Sequence, residues 1–284
     1  MIFISSACIK EKNLTKNLNL FKKNKLRNIE LSGGTNHNKK TLKILKSFKL
    51  KGFNFLIHNY FPIPKLPFML NLGSDNKLNS KKSLKNCIEA IKICHKLKAK
   101  KFSVHAPFLF DFNFKEAGKK ISPSKLYDVK STIKIFKQNW KILQSYAGKD
   151  VKLYVENNVI NKQNYNSFNK QMPLLFTDMS SFEMMRNEVD FVPLIDTGHL
   201  KVSCRTLGEN FELDLKKLSF HTDFYQISDN NGLFDQNLAL KKNSLMYRSL
   251  KKLNLKNKTF SIEVYEGLKE VTETIDSIKS ILKK

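Results

Sequence analysis

The chain has 284 residues, and 51 lysines and arginines against 25 aspartates and glutamates give it a formal charge of +26. That length can bury a full core, and 41% apolar with 11% aromatic residues excludes a disordered basic tail. No run of about 18 uncharged apolar residues is present, which excludes a transmembrane helix, and the short apolar start MIFISSACIKEK lacks the basic leader of a signal peptide.

Runs rich in β-branched and aromatic residues alternate with amphipathic ones along the chain. The first strand candidates are IFISSACI (2–9), NIELSG (28–33) and FNFLIHNYF (53–61), the last followed by a long loop at 62–82. Leu84, Ile88, Ile91 and Leu97 then form a helical stripe ahead of KFSVHAPF (101–108). Leu126, Val129, Ile133, Phe136, Trp140 and Leu143 recur at spacings of three and four, with Gly148 as the stop, ahead of KLYVENNV (152–159). VPLIDTGHL (192–200) and FYQISDN (224–230) follow, the second running into another loop at 228–242. FSIEVYE (260–266) is the last strand candidate, and Leu268, Val271, Ile275, Ile278 and Leu282 are the last helical stripe.

Eight such strands alternating with helices over about 250 residues predict a (β/α)8 barrel, with a doubly wound open sheet as the competitor. Neither GxGxxG nor GxxxxGKS/T follows any strand, so the usual nucleotide-binding loops are excluded. Arg27, Arg186, Arg205 and Arg248 are the only arginines. Specific nucleic-acid readers favour the planar fork of arginine, so a surplus made of scattered lysines argues against a nucleic-acid partner. Those lysines travel with asparagine, isoleucine and phenylalanine, all encoded by AT-rich codons. Compositional drift therefore explains the charge better than a face selected for an anion. Cys8, Cys87, Cys94 and Cys204 show no CxxC pairing, and reduced thiols in the cytoplasm are the expectation.

Polar residues interrupt the apolar strands near their C-terminal ends: His58, His105, Glu156, Asp196, Gln226 and Asp229, and Glu263. In a parallel barrel these ends converge on one face, where active sites lie. Unpaired charge is costly to bury, and a divalent cation held by carboxylates and imidazoles would compensate it. His37, His95 and His221 fall outside this pattern and are read as solvated or loop residues.

At NIELSGG, IHNYFP, VHAP, VENN, DTGHLKVS, ISDNNG and IEVYE, in that order, the sequence resembles the xylose-isomerase-like barrel superfamily. Its members include sugar-phosphate isomerases and epimerases, ketose 3-epimerases and apurinic endonucleases. The resemblance implies a single xylose-isomerase-like TIM-barrel domain over 1–284. It implies one divalent metal per chain (Mn, Co, Mg or Zn) held by Glu156, Asp196, Gln226 and Glu263. Glu156 and Glu263 would act as acid and base through an enediolate, and His58, His105, His199, Asn158 and Asp229 would bind a sugar or sugar phosphate. No membrane partner is implied, and a homo-oligomer stays open. Two departures stand out: Gln226 replaces the usual histidine, and Asn237 falls where the endonuclease branch has another. They count against an apurinic-endonuclease-like phosphodiesterase, and they motivate a third alternative, a non-catalytic sugar-binding barrel with a degenerate metal site.

Overall fold

In the computed structural model, which describes residues 1–283, the eight strands close into a parallel barrel in chain order. They are β1 (Ile2–Ser5), β2 (Asn28–Leu31), β3 (Asn54–His58), β4 (Lys101–His105), β5 (Lys152–Glu156), β6 (Val192–Asp196), β7 (Phe224–Ile227) and β8 (Thr259–Ile262). The helices are α1 (Leu14–Lys23), α2 (Thr41–Lys49), α3 (Lys77–Leu97), α4 (Val129–Ala147), α5 (Lys162–Ser167), α6 (Met179–Glu188), α7 (Thr197–Leu207), α8 (Phe211–Ser219), α9 (Leu245–Lys251) and α10 (Leu268–Leu282). The open-sheet competitor is excluded, because β1 pairs with both β2 and β8. Among the described residues no helix is long and apolar enough to cross a membrane.

Side chains alternate along each strand, so every second residue enters the barrel. Phe3, Leu56, Tyr154, Leu194 and Phe224 pack together as an inner layer. Two residues further along the same strands stand Ser5, His58, Glu156, Asp196 and Gln226. The polar strand ends are thus the next layer of the barrel interior. The other parity, including Ile29, Ile57, Val104, Val155, Ile195 and Ile262, packs outward in the main core with the helices.

The α4 stripe buries Ile133, Phe136, Trp140 and Leu143, and Gly148 closes the helix at φ 56°. Burial of each large side chain there contributes about 1.5–3 kcal/mol. The loop expected at 62–82 is shorter than predicted. Asn76 accepts from the backbone N–H groups of Leu78 and Asn79, and this cap starts α3 at Lys77. A longer connection, residues 106–128 between β4 and α4, was not singled out by the sequence. It builds a satellite core of Phe108, Phe110, Ile121, Ile160, Phe168 and Leu174 over the barrel's C-terminal end. Asn71 holds it there by donating to the carbonyl of Phe108 at 2.9 Å and to Asp111 at 3.1 Å.

At the opposite end Asp223 accepts from Lys152 at 2.8 Å and from the Tyr154 hydroxyl at 2.7 Å, and pairs with Lys101 at 3.2 Å. All four cysteines are buried and unpaired.

Candidate active site

The C-terminal end of the barrel opens into a cavity of about 670 Å³, whose lining includes His58, His105, Glu156, His199, Asp235, Glu263 and Tyr265. Glu156, at the end of β5, is its hub. His58 Nε2 approaches Glu156 Oε2 at 3.1 Å, His105 Nδ1 approaches the same oxygen at 3.6 Å, and His199 Nδ1 lies 3.3 Å from Oε1. Neither approach to Oε2 makes a hydrogen bond, the one from His58 lacking direction and the one from His105 too long, so Glu156 Oε2 and His105 Nδ1 are buried without a partner. A third orphan is Asp196 Oδ2. Asp196 ends β6 and also caps α7, and its Oδ1 accepts from the His199 N–H at 2.7 Å. Capping therefore fixes one oxygen and leaves the other facing the site. Asn157 locks the two strand ends together, accepting from Asp196 N at 2.7 Å and donating to its carbonyl at 3.0 Å.

Two groups of side chains bring their ligand atoms within 4.8 Å of one another: His58, His105 and Glu156, and Glu156, Asp196 and His199. Imidazole nitrogen and carboxylate oxygen suit a borderline divalent ion such as zinc, and the orphaned lone pairs are what a cation would satisfy. The residues present therefore fit a metal.

The electrostatics point the same way. Burial raises the proton affinity of Glu156, and the charges of Asp196 and Glu263 add to the rise, against an opposing pull from His199. Burial also raises Asp196, and it pushes Glu263 up to about 7 against the hydrogen bond from Tyr265. Burial lowers His58 to about 3 and takes His105 down as well, with the charge of His199 pushing both in the same direction. His199 goes the other way: burial alone would lower it, but Asp196 and Asp235 outweigh that and hold it charged. Its Nδ1 donates to the Asn157 carbonyl at 2.9 Å, and its Nε2 lies 3.3 Å from Asp235.

Gln226 and Glu263 form a separate pair. The Gln226 amide donates to Glu263 Oε2 at 2.7 Å, and the Tyr265 hydroxyl donates to Oε1 at 2.6 Å. Both Glu263 oxygens are engaged by neutral donors, while Gln226 Oε1 is left without a partner. Of the expected substrate groups, His58, His105 and His199 line the cavity. Asn158 also borders it, but its amide is spent on the carbonyls of Ala106 at 3.0 Å and Leu175 at 2.8 Å, where it staples two loops. Asp229 departs from the expectation: it pairs with Lys201 at 2.6 Å and accepts from the backbone of Asn230 at 2.8 Å, away from the cavity lining. A buried carboxylate needs a counter-charge, and Lys201 on α7 is the one within reach.

The sequence reading missed Glu30, Asp235 and Tyr265. Glu30 on β2 is fully buried, accepts from Ser261 at 2.5 Å, and is raised well above the carboxylate range by burial and by the charges of Glu263, Glu156 and Asp196. It stands in NIELSG as the other carboxylates do in their strands, so the same positional rule finds it. Tyr265 lies two residues past Glu263, the strand period, whereas Asp235 comes from a loop and carries no periodic signal.

A closed parallel barrel of eight strands alternating with helices is a (β/α)8 fold. A D-tagatose 3-epimerase-like protein superposes with a TM-score of 0.75 at 17% identity, over 99% of this chain and 97% of that one. Endonuclease IV from Thermus thermophilus gives 0.60 at 12% identity, over 99% and 98%. A further Thermus thermophilus protein, solved after soaking with zinc chloride, gives 0.63 at 13% identity, over 99% and 98%. No family profile matches the sequence, and no curated protein matches it.

Proposed function

We propose that the chain is a single-domain, metal-dependent isomerase or epimerase of a small carbohydrate. The observation that carries this reading is Glu156, a buried carboxylate with an unpartnered oxygen facing His58 and His105. His58, His105 and Glu156 would hold the cation, with Asp196 placed beside the same carboxylate. When bound, the ion would act as a Lewis acid toward the carbonyl and hydroxyl oxygens of a ketol.

The chain's own residues would do the rest. Glu263, at about 7, is poised to exchange a proton with carbon near neutral pH. The Gln226 amide and Tyr265 hydroxyl fix its orientation. Charged His199, with both ring N–H groups engaged by the Asn157 carbonyl and Asp235, would hold Asp235 in place. Likeness to the D-tagatose 3-epimerase-like protein supports this choice of chemistry at the level of fold. The phosphodiester-cleaving alternative is disfavoured by Asn237, which donates to Asp235 at 3.2 Å where that branch has a histidine.

Elemental analysis of tag-free protein, paired with a ketose and aldose conversion screen, tests the proposal. About one divalent ion per chain, lost in Glu156→Gln together with conversion, is the expected result. A metal-free protein that melts identically with EDTA and with zinc, manganese, cobalt or magnesium would refute it. Incision of abasic-site DNA would replace it with the phosphodiesterase reading.

A further inference from the structure

The cavity is larger and more apolar than a ketol centre requires. At about 670 Å³ it falls in the range that encloses a drug-sized ligand. Outward from the metal-fitting cluster, aromatic rings line its wall. The His105 ring lies 6.4 Å from Phe108, and Phe108 lies 5.4 Å from Phe112. Tyr60 and Phe114 stack at 5.4 Å with their planes 22° apart.

Two of the lining phenylalanines stay substantially exposed. Phe114 is 40% exposed and Phe234 is 50% exposed, and both border the cavity. They come from different connections, β4–α4 and β7–α9, so they belong to separate lips of the mouth. Exposed aromatic side chains at the rim of a polar centre are interaction surface more than packing. They line the same cavity as the carboxylate and imidazole cluster.

We infer that the substrate is a ketol or polyol whose distal end carries an aromatic ring, the hydroxylated head at Glu156 and Glu263 and the ring between Phe114 and Phe234. This inference rests on the proposed function for its head group and adds the tail. A flat ring suits a site whose own members stack, because aromatic pairs gain from offset stacking beyond the area they bury. Met69, which also lines the cavity, would contact the ring with its thioether.

Calorimetric titration of the metal-loaded protein separates the possibilities, using three ketoses that share a head. D-fructose has no tail, isomaltulose carries a second sugar on O6, and 6-O-benzyl-D-fructose carries a phenyl ring at the same place. The expected result is benzyl-ether affinity about tenfold or more above both others, the factor that one well-placed ring contact supplies. Phe114→Ala and Phe234→Ala should each reduce that preference several-fold. Both side chains are exposed, and melting curves of the variants would verify that the fold is kept. Equal affinity for the three ketoses, a preference for isomaltulose, a preference that survives both substitutions, or no binding of the benzyl ether would each overturn the inference. Metal content and ketose conversion are read separately, so failure of the head-group chemistry is distinguishable from failure of the tail.

Discussion

Glu263→Gln should stabilise the metal-free protein, by an amount that grows as pH rises from 4.5 and is full only above about 7. Burial raises the Glu263 carboxyl from the ordinary 4.5 to about 7. Below pH 4.5 the group is protonated in both the folded and the unfolded chain and has no effect. Between 4.5 and 7 the unfolded chain ionises first while the folded one must keep its proton, so stability falls as pH rises, and the full loss is reached above 7. At about 1.4 kcal/mol for each tenfold change in proton affinity, the ceiling is roughly 3 kcal/mol. Glu263 is only partly shielded from the cavity, so water screens it, and about half of that is expected. Glutamine has nothing to ionise and is close in shape, and the Tyr265 hydroxyl can accept as well as donate. With EDTA present at pH 8 the variant should melt roughly 3–6 °C above wild type, since about 1 kcal/mol moves the midpoint of a chain this size by a few degrees. The gap should close at pH 4.5 and narrow or reverse with saturating zinc. Glu156 and Asp196 are present in both proteins, so their contributions largely cancel. A variant that melts at or below wild type at pH 8 in EDTA would refute the assignment of Glu263 as a destabilised buried acid.

Two further substitutions test the frame around the site. Asp223→Asn removes the counter-charge of Lys101 and Lys152 and should cost about 1 kcal/mol, kept small by solvent screening. Burial opposes the ionised form of Asp223, but Lys152, Tyr154 and Lys101 hold its carboxyl down at about 2. Its contribution is therefore complete above the ordinary value of 3.8 and is lost as pH falls through about 2, so wild-type and variant melting curves should converge there. Persistence of the full difference at pH 2 would sink this reading. Gly73→Ala would put a Cβ 2.6 Å from Pro107 Cβ, 2.8 Å from Thr132 Cγ2 and 3.1 Å from the Thr132 carbonyl oxygen. A rigid ring and a backbone oxygen cannot yield cheaply, so a loss of about 1–3 kcal/mol is expected in denaturant unfolding. An unchanged midpoint would show that the loop moves freely.

All eight strands were legible because parallel strands buried on both faces read as near-continuous apolar runs. The runs overshoot the strands at their C-terminal ends, as in VPLIDTGHL against Val192–Asp196. Residues just past the strand stay buried to build the site, and burial looks alike in a strand and in a helix start. Glu156, Asp196 and Glu263 stood out as charges in apolar surroundings. What could not be read is which of them meet. Asp196 has one oxygen taken by the cap of α7, Gln226 turns its amide N–H to Glu263, and Asp229 finds Lys201. Each is decided by a partner distant in sequence. The aromatic lip is invisible for the same reason, since Phe112 and Phe114 in an irregular connection carry no period.

The barrel's seam has a consequence for how the protein comes into being. Ser5 on β1 reaches Glu263 at 3.4 Å across 258 residues of sequence, and Ser261 reaches Glu30 across 231. Contacts of such separation are slow to form, because the chain entropy of closing so long a loop must be overcome before they stabilise anything. Glu263 therefore joins the cluster only when β8 docks between β7 and β1. A nascent chain would hold His58, His105 and Glu156 well before it held Glu263. Under the proposed function, competence for conversion would then mark ring closure itself, and a refolding chain should bind an ion before it can process a substrate.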